Sequence, residues 1–354
     1  MKQKACVLIL LIVTALCQRL PAQTVKHCIF KNGTEGYKMY RIPAIVKSKN
    51  GTLLAFCEGR QSLFDHGNID LVLKTSADDG QTWSSLKVIQ SDGRNTCGNP
   101  APVIDEKSGD VVLPYTWNND KVFVTRSADN GSTWSKPVEI TTMVKPPNWQ
   151  WYATGPGHSI QLGQTTFKNR LVVACNHTVT GAGEHISHVI YSDDGGHSWS
   201  CGGNAPCVKT DECTVAELND GRLMLNMRNG DRTLPNRKVT LSADGGLTWL
   251  ACVFDSVLIE PVCEGSLLHY KHSGNLMLFC NPANRRGRKQ LSVSISNNEG
   301  RNWQKKILLF KGPSAYSDMV EQNNGDILCI YEAGSFWPYG GIWLQTISAV
   351  SITK

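Results

Sequence analysis

Arginine side chains occur in three short motifs that are spread over most of the chain. Arg41 stands in residues 40–43 (YRIP), Arg228 in residues 225–229 (LNMRN) and Arg288 in residues 281–291 (NPANRRGRKQL), where Arg286 is a competing choice. Guanidinium groups bind carboxylates with two parallel hydrogen bonds and never lose their charge. Three of them brought together would therefore bind a small ligand that carries a carboxylate.

Groups that could act as a nucleophile or move a proton lie in three further motifs. Tyr316 stands in residues 312–318 (GPSAYSD), Glu212 in residues 211–218 (DECTVAEL) and Asp65 in residues 60–67 (RQSLFDHG). A phenol with its usual pKa near 10 is a weak nucleophile and needs a base. Taken singly, each of these side chains is also common as a surface or capping group, so the fold has to bring them together.

A repeat with the pattern Ser-x-Asp-x-Gly-x-x-Trp indicates that fold. Four copies lie at residues 76–83, 127–134, 192–199 and 242–249, and a fifth at 296–303 has Asn298 in place of the aspartate. A period near 50 residues is typical of a propeller or a solenoid. Short β-branched runs precede the copies and turn residues follow, as at the tip of a β-hairpin. The repeat therefore predicts an all-β fold of four-stranded blades.

The number of blades follows from the length. About 330 residues at roughly 55 per blade predict a six-bladed β-propeller. Five copies of the repeat mark five blades, and the sixth would join C-terminal strands at 327–332 and 342–352 to N-terminal strands at 25–45. Such a closure would remove the exposed sheet edges. We expect a single propeller domain over residues 23–354.

The first 22 residues are predicted to be a secretory signal peptide. Two lysines precede an apolar run at residues 5–17, which is too short to span a bilayer comfortably. This leader carries three basic residues and no acid, so the formal net charge of +6 falls to +3. That mild excess does not indicate nucleic-acid binding, and it suits an anionic small ligand. The chain has no cysteine spacing typical of zinc and no cofactor motif, so we expect neither a metal nor a cofactor.

Cysteines and glycosylation sequons agree with a secretory route. Eleven cysteines remain after the leader, an odd number, and Cys201 with Cys207 could close a short loop, although the spacing does not decide any pairing. Sequons occur at Asn32, Asn50 and Asn130, and also at Asn176. We expect a secreted protein, with a lysosomal one as the alternative.

The motifs and the repeat together resemble those of the sialidases that carry Asp-box repeats, from about Val25 to the C-terminus. The resemblance implies a sialidase-fold propeller in which Tyr316 is the nucleophile, Glu212 its base and Asp65 the acid and base, with Asp70 the rival for that last role. It also implies roles for residues around the substrate. Those in contact with the substrate would be Arg41, Arg60, Arg228, Arg288, Asn99 and Trp151, with Glu332 orienting Arg41.

The resemblance implies a retaining exo-α-sialidase that hydrolyses terminal α-linked sialic acids from glycoproteins, glycolipids and oligosaccharides. Its partners would be sialylated glycans, with no nucleic acid and no membrane span in the mature chain. Two alternatives remain open. One is a trans-sialidase with the same chemistry, and the other is a propeller that binds a glycan or protein without catalysis. Loss of Tyr316, Glu212 or Asp65 would mark the second alternative, and all three are present.

Overall fold

The computed structural model describes residues 26–164, 166–272 and 276–353, and these form an almost entirely β structure. The predicted leader, residues 1–22, lies outside the described residues. Strands form where runs of apolar residues, many of them β-branched or aromatic, lie between glycine-rich turns, and several of these runs are buried along their whole length. Two short helices complete the described elements, α1 (Thr141–Val144) and α2 (Ala349–Thr353).

The strands follow one another in hairpins. In chain order they are β1 (Lys26–Lys31), β2 (Met39–Lys47), β3 (Leu53–Arg60), β4 (Ile69–Ser76), β5 (Lys87–Gln90), β6 (Cys97–Gly98), β7 (Val103–Ile104), β8 (Val111–Trp117), β9 (Lys121–Ser127), β10 (Val138–Glu139), β11 (Trp149–Thr154), β12 (Ile160–Gln161), β13 (Leu171–Val179), β14 (His185–Ser192), β15 (Ser200–Asn204), β16 (Thr210–Glu217), β17 (Leu223–Asn229), β18 (Asn236–Ser242), β19 (Val253–Ile259), β20 (Ser266–Tyr270), β21 (Leu276–Pro282), β22 (Lys289–Ser296), β23 (Lys305–Glu321), β24 (Ile327–Ala333) and β25 (Gly341–Ile347).

These strands make antiparallel sheets in chain order. Four sheets are β2-β3-β4-β5, β6-β8-β9-β10 with β7, β11-β13-β14-β15 with β12, and β16-β17-β18-β19. A larger sheet has the order β1-β25-β24-β23-β22-β21-β20. Its long strand β23 pairs with β22 through its first half and with β24 through its second half. This arrangement of consecutive sheets is propeller-like.

Apolar cores lie between consecutive sheets. One core packs Val112 of β8 against Val173 of β13, and another packs Leu54 of β3 against Leu113 of β8. The core that contains Ile330 joins β24 and β25 to the first sheet. The packing thus returns from the last strands to the first ones, and the sheets surround a common centre.

The N- and C-terminal strands differ in part from the expectation. β1 pairs with β25, as the predicted closure requires, but β2 pairs with β3 and begins the next sheet. The predicted strand at 342–352 is wrong beyond Ile347, because the chain turns there into helix α2 and buries Ile352. Ser348 accepts backbone hydrogen bonds from Ser351 and Ile352, and these hold that turn.

The disulfide in the structure is not the pairing of Cys201 with Cys207 that the sequence allowed. Cys207 forms a disulfide with Cys252, whereas Cys201 is free. The two joined positions are 45 residues apart in sequence, and they connect the segment after β15 to the segment before β19. The bond therefore joins the connection between two neighbouring sheets to the β18–β19 loop of the second one. Among the sequons, Asn176 is fully buried in β13, so its side chain is not accessible in the folded chain.

Each Asp-box repeat begins at the last residue of a strand and forms the turn that follows it. These turns lie at the end of the sheets opposite the loop at residues 61–68. In the third copy, Ser192 Oγ donates to Asp194 Oδ1 at 2.7 Å and accepts from the Gly196 amide at 2.7 Å. The carboxylate of Asp194 also accepts from the amide and hydroxyl of Ser198. The side chains thus close the turn internally. In the fifth copy, Asn298 Oδ1 accepts the equivalent bonds from Ser296 and Asn302, which explains why asparagine suffices there.

Among the described residues, the structure has no helix that is long and apolar enough to cross a membrane.

Candidate active site

A polar cavity of about 490 Å³ opens at the end of the sheets opposite the Asp-box turns. Most of its lining residues lie within strands of different sheets, and the others lie in the loops between strands. The lining residues are Arg41, Ile42, Glu58, Arg60, Asp65, Thr96, Asn99, Asn119, Trp151, His185, Asp211, Glu212, Arg228, Arg288, Tyr316 and Tyr339. The three arginines, the tyrosine and the two carboxylates that the sequence singled out therefore share one cavity.

Arg41 reaches the cavity because β2 is irregular at this point. The pairing of β2 with β3 shifts register between Arg41 and Ala44, and Ile42 has a φ of 60°. A positive φ is costly for a β-branched residue, and such strain is common at functional sites. Glu332, fully buried on β24, accepts hydrogen bonds from Arg41 Nε at 2.7 Å and from the Ile42 amide at 2.8 Å. One carboxylate therefore holds both the bulge and the guanidinium.

The other two arginines stand around Tyr316. Arg228 Nη1 donates to Tyr316 Oη at 3.2 Å, and the Arg288 guanidinium lies 5.5 Å from the Tyr316 ring. The Arg41 guanidinium lies 5.2 Å from the same ring. Arg288 is held by Tyr339 Oη and by the Val262 carbonyl, at 2.6 and 2.9 Å. The three cations thus converge on one phenol, and they provide the charge that a carboxylate ligand needs.

Tyr316 and Glu212 form the most direct polar contact in the cavity. Tyr316 Oη donates to Glu212 Oε1, and Arg228 Nη1 donates to Glu212 Oε2. Burial raises the pKa of Tyr316 well above its usual value, and the charge of Glu212 raises it further. Burial alone would raise the pKa of Glu212, but the Arg228 charge and hydrogen bonds from Tyr316 and Arg228 lower it below its usual value. A neutral phenol therefore faces an ionised carboxylate that can accept its proton.

Asp65 lies on the loop between β3 and β4, with 79% of its side chain exposed. Its carboxylate accepts from Arg60 Nη1 at 2.6 Å and lies 3.8 Å from Arg41 Nη1. Partial burial raises the pKa of Asp65, but Arg60, Arg41 and Arg288 together lower it below its usual value. Asp65 is therefore ionised at neutral pH, and it is the most accessible of the acidic groups that the sequence indicated.

Arg60 is almost fully buried at the end of β3. Its Nε donates to Glu58 Oε2 at 2.7 Å and its Nη2 donates to the same oxygen. Because side chains two apart on a strand share one face, Glu58 and Arg60 meet directly. The remaining Nη1 faces Asp65, so Arg60 ties the loop to the strand.

Asn99 and Trp151 also line the cavity. Asn99 has a φ of 56°, and its Nδ2 donates to Thr116 Oγ1 at 2.9 Å. Trp151 is 36% exposed, and its ring lies 5.0 Å from the His185 ring in an edge-on contact. Asn99 is therefore engaged by the protein, whereas Trp151 presents an open face.

The two rival residues lie elsewhere. Arg286 is exposed beside Arg232 and Arg285 in a separate cavity of about 240 Å³. Asp70 is 8% exposed and accepts from Tyr37 Oη at 2.7 Å. Neither lines the cavity that contains Tyr316.

Four ionisable residues that line the cavity were not found by sequence reasoning. Glu58 could have been found, because it alternates with Arg60 on one strand. Asp211 lies 3.4 Å from Arg228 Nε, and burial together with the charge of Glu212 raises its pKa. Tyr339 and His185 come from a loop and a strand end with no distinctive pattern, so only the fold reveals them.

Comparisons with known proteins agree on one family. The family model described as a BNR repeat-like domain matches residues 51–329. The chain is 32% identical to an exo-alpha-sialidase of Aspergillus fumigatus over 74% of this chain and 68% of that protein. It is 28% identical to a sialidase of Micromonospora viridifaciens over 90% of this chain, but it spans only 54% of that protein. The solved structure of the Hadza microbial sialidase Hz136 is 27% identical, with a TM-score of 0.84, and the match covers 93% of this chain and 69% of that one.

Proposed function

This chain belongs to the sialidase family, and from that premise we propose that it is a retaining exo-α-sialidase. The substrates would be terminal α-linked sialic acids on glycoproteins, glycolipids and oligosaccharides. The observation that carries the proposal is the contact of Tyr316 Oη with Glu212 inside the ring of Arg41, Arg228 and Arg288. Sialic acid bears a carboxylate on its anomeric carbon, so a carboxylate bound by the arginines would bring that carbon to the phenol.

In the first step, Tyr316 Oη would bond to the anomeric carbon while the bond to the leaving oxygen breaks. Glu212 would take the phenol proton, and Asp65 would give its proton to the leaving oxygen. A carboxylate nucleophile would be repelled by the substrate's own carboxylate, whereas a neutral phenol is not. The lowered pKa of Glu212 and the raised pKa of Tyr316 mean that the carboxylate is ionised and the phenol neutral before the step, which are the protonation states that it requires.

In the second step, water would attack the anomeric carbon and lose a proton to Asp65. The bond to Tyr316 would break, and its oxygen would recover the proton from Glu212. Asp65 must be protonated for the first step, although the neighbouring arginines lower its pKa. A bound substrate carboxylate would offset the charge of Arg41 and Arg288, which both lower the pKa of Asp65. Substrate binding would thus raise that pKa and prepare the acid.

The remaining residues would support the substrate. Glu332 would orient Arg41 through the 2.7 Å hydrogen bond. Arg60, Asn99 and Trp151 would line the space around the sugar. No step of this chemistry requires a metal or a cofactor.

We also propose six blades, in one domain over residues 23–354. Division of β23 between its pairings with β22 and β24 splits the large sheet into two blades, and with the other four sheets these make six. Residues 1–22 would be a signal peptide, which implies secretion, with a lysosomal destination as the alternative.

A fluorogenic sialoside tests the proposal. Wild-type protein should release the fluorophore, and Tyr316→Phe should reduce kcat by about two orders of magnitude or more, because removal of a catalytic group commonly costs that much. Asp65→Ala should reduce the turnover of this activated substrate less than that of a natural sialoside, because a good leaving group needs little protonation. Absence of wild-type turnover from about pH 4 to 8 would contradict the enzyme assignment. Analysis of the products with and without lactose would separate hydrolysis from transfer.

A further inference from the structure

Large apolar side chains project from two loops beside the cavity. Leu63 and Phe64, on the loop between β3 and β4, are 60% and 65% exposed. Phe336 and Trp337, on the loop between β24 and β25, are 96% and 42% exposed. These four residues are called the apolar rim. Exposed apolar clusters of this kind commonly mark a contact surface for a protein, a ligand or a membrane.

The two loops adjoin each other at the mouth of the cavity. Arg41 lies 3.8 Å from Asp65 of the first loop, and its guanidinium lies 4.0 Å from the Tyr339 ring of the second loop. The Trp337 ring packs edge-on against Tyr339, with ring centroids 5.5 Å apart. The apolar rim is therefore continuous with the site that would bind sialic acid.

Positive charge flanks the apolar rim. The neighbouring loop at residues 283–288 exposes Arg285 and Arg286, and within the part of the chain that the structure describes neither forms an ion pair. Arg288 of this loop donates to Tyr339 Oη at 2.6 Å, which connects it to the loop of Trp337. Exposed arginines on a loop that adjoins the loop of Trp337 give this side of the cavity mouth an amphipathic character.

The loops on the opposite side of the cavity mouth consist of polar and small residues. The loop at residues 118–120 consists of two asparagines and Asp120, and the loop at 180–184 consists of small residues, Thr180 and Glu184. Apart from Trp151, the large exposed apolar side chains around the opening are thus concentrated on one side. That asymmetry would tilt a flat partner toward the loops of Phe64 and Phe336.

We propose that the apolar rim docks on an anionic lipid surface and presents membrane glycolipids to the cavity. Apolar side chains inserted at the headgroup level, together with basic neighbours, form the usual combination for interfacial binding. A pyranose platform would need a ring held in place with polar partners beside it, whereas Phe336 protrudes with 96% of its surface exposed. The identity of the glycolipid headgroup rests on the proposed function, but the lipid contact itself does not.

Sedimentation with vesicles tests the lipid contact without turnover. Wild-type protein is mixed with phosphatidylcholine vesicles that contain or lack phosphatidylserine, a lipid without sialic acid. Binding should be stronger with phosphatidylserine, and Phe336→Ser should weaken it by about tenfold or more, because burial of one aromatic side chain is worth at least that factor. Phe254→Ser is the matched control, since Phe254 is 43% exposed on the outer strand β19. Arg285→Gln with Arg286→Gln should remove the preference for phosphatidylserine.

Activity measurements complete the test. Phe336→Ser should hydrolyse a soluble fluorogenic sialoside like wild type, yet hydrolyse a ganglioside in vesicles more slowly. Two results would overturn the proposal: wild-type protein that binds neither vesicle, or a Phe336→Ser variant that binds as well as wild type. In the second case, a raised KM for soluble sialyllactose would identify the rim as a sugar platform instead. Failure of all sialoside turnover with vesicle binding intact would refute only the enzyme assignment.

Discussion

Charge placement among a few side chains decides the chemistry that this cavity can perform. Arg228 contacts both Glu212 and Tyr316, so a single cation keeps the carboxylate ionised and lies beside the phenol. Glu332 pairs with Arg41 in the same way on the other side of the cavity. These contacts orient Arg41 and Arg228, and the Nη2 group of each has no hydrogen-bond partner among the described residues and can bind a ligand.

The pair of Arg60 and Asp65 makes a prediction about pH. Arg60 lowers the pKa of Asp65, and the first step needs Asp65 protonated, so kcat/KM falls as pH rises through that pKa. Arg60→Gln should raise the pKa of Asp65 and move the alkaline limb of the kcat/KM profile to higher pH, whatever happens to the maximal rate. Steady-state kinetics across pH with a natural sialoside measure this shift.

Arg94→Gln is the control for that experiment, because Arg94 is exposed and does not line the cavity. Its profile should match that of wild type. An alkaline limb that stays in place, or moves to lower pH, in Arg60→Gln would show that Asp65 is not the group that titrates.

At the scale of single elements, the Asp-box turns hold the strands at the end away from the cavity. Asp194→Ala should lower the free energy of unfolding by roughly 1 kcal/mol, because several partly solvated hydrogen bonds to Ser192 and Ser198 are lost. Asp194→Asn should cost less, because Asn298 already accepts the equivalent bonds in the fifth copy. Denaturant unfolding at neutral pH measures both variants.

Asp194 also predicts how the free energy of unfolding changes at acid pH. Hydrogen bonds from Ser198 and Ser192 outweigh the effect of burial and lower the pKa of Asp194 to about 2. A depressed pKa contributes stability above the unfolded value of about 4, and that contribution is lost as pH falls toward 2. The stability difference between wild type and Asp194→Asn should therefore shrink over that range. A constant difference would contradict the proposed hydrogen-bond role of the charge.

Local patterns predicted the elements well where one segment carries all the information. The five repeats lie at turns after β4, β9, β14, β18 and β22, as the hairpin pattern required. The chain end differed, because an apolar run such as residues 342–352 is compatible with a strand or a short buried helix. Tyr339 and Asp211 could not be found, since their place in the cavity depends on how distant loops meet. The disulfide partner of Cys207 likewise depends on how two distant segments meet, and the spacing of cysteines in the sequence does not specify that contact.

The disulfide between Cys207 and Cys252 joins the connection between two sheets to a loop of the second sheet, and it bears on the stability of the entire fold. Closure of a 45-residue separation restricts the unfolded chain, and the chain-entropy model assigns this about 4 kcal/mol. Replacement of both cysteines by serine should lower the midpoint of thermal unfolding strongly, whereas Cys201→Ser, at a free cysteine, should change it little. Equal effects of the two replacements, or no response of wild type to a reductant, would show that the bond does not form.

The ring of sheets brings together residues that are far apart in sequence. Arg41 and Glu332 are 291 positions apart and Glu212 and Tyr316 are 104 apart, yet each pair is in hydrogen-bond contact. Tyr316 itself lies on β23, the long strand that pairs with β22 through its first half and with β24 through its second half. The proposed mechanism therefore depends on the whole ring and on one phenol within it.

Trapping of the covalent intermediate directly tests whether Tyr316 is the nucleophile. A fluorinated sialic acid that forms the glycosyl-enzyme quickly and hydrolyses slowly is incubated with the protein, and the digested peptides are mapped by mass spectrometry. One added sialyl group is expected on Tyr316, and none in Tyr316→Phe. A label on Asp65, on Glu212 or on any other residue would contradict it, as would turnover of the sialoside without any covalent label.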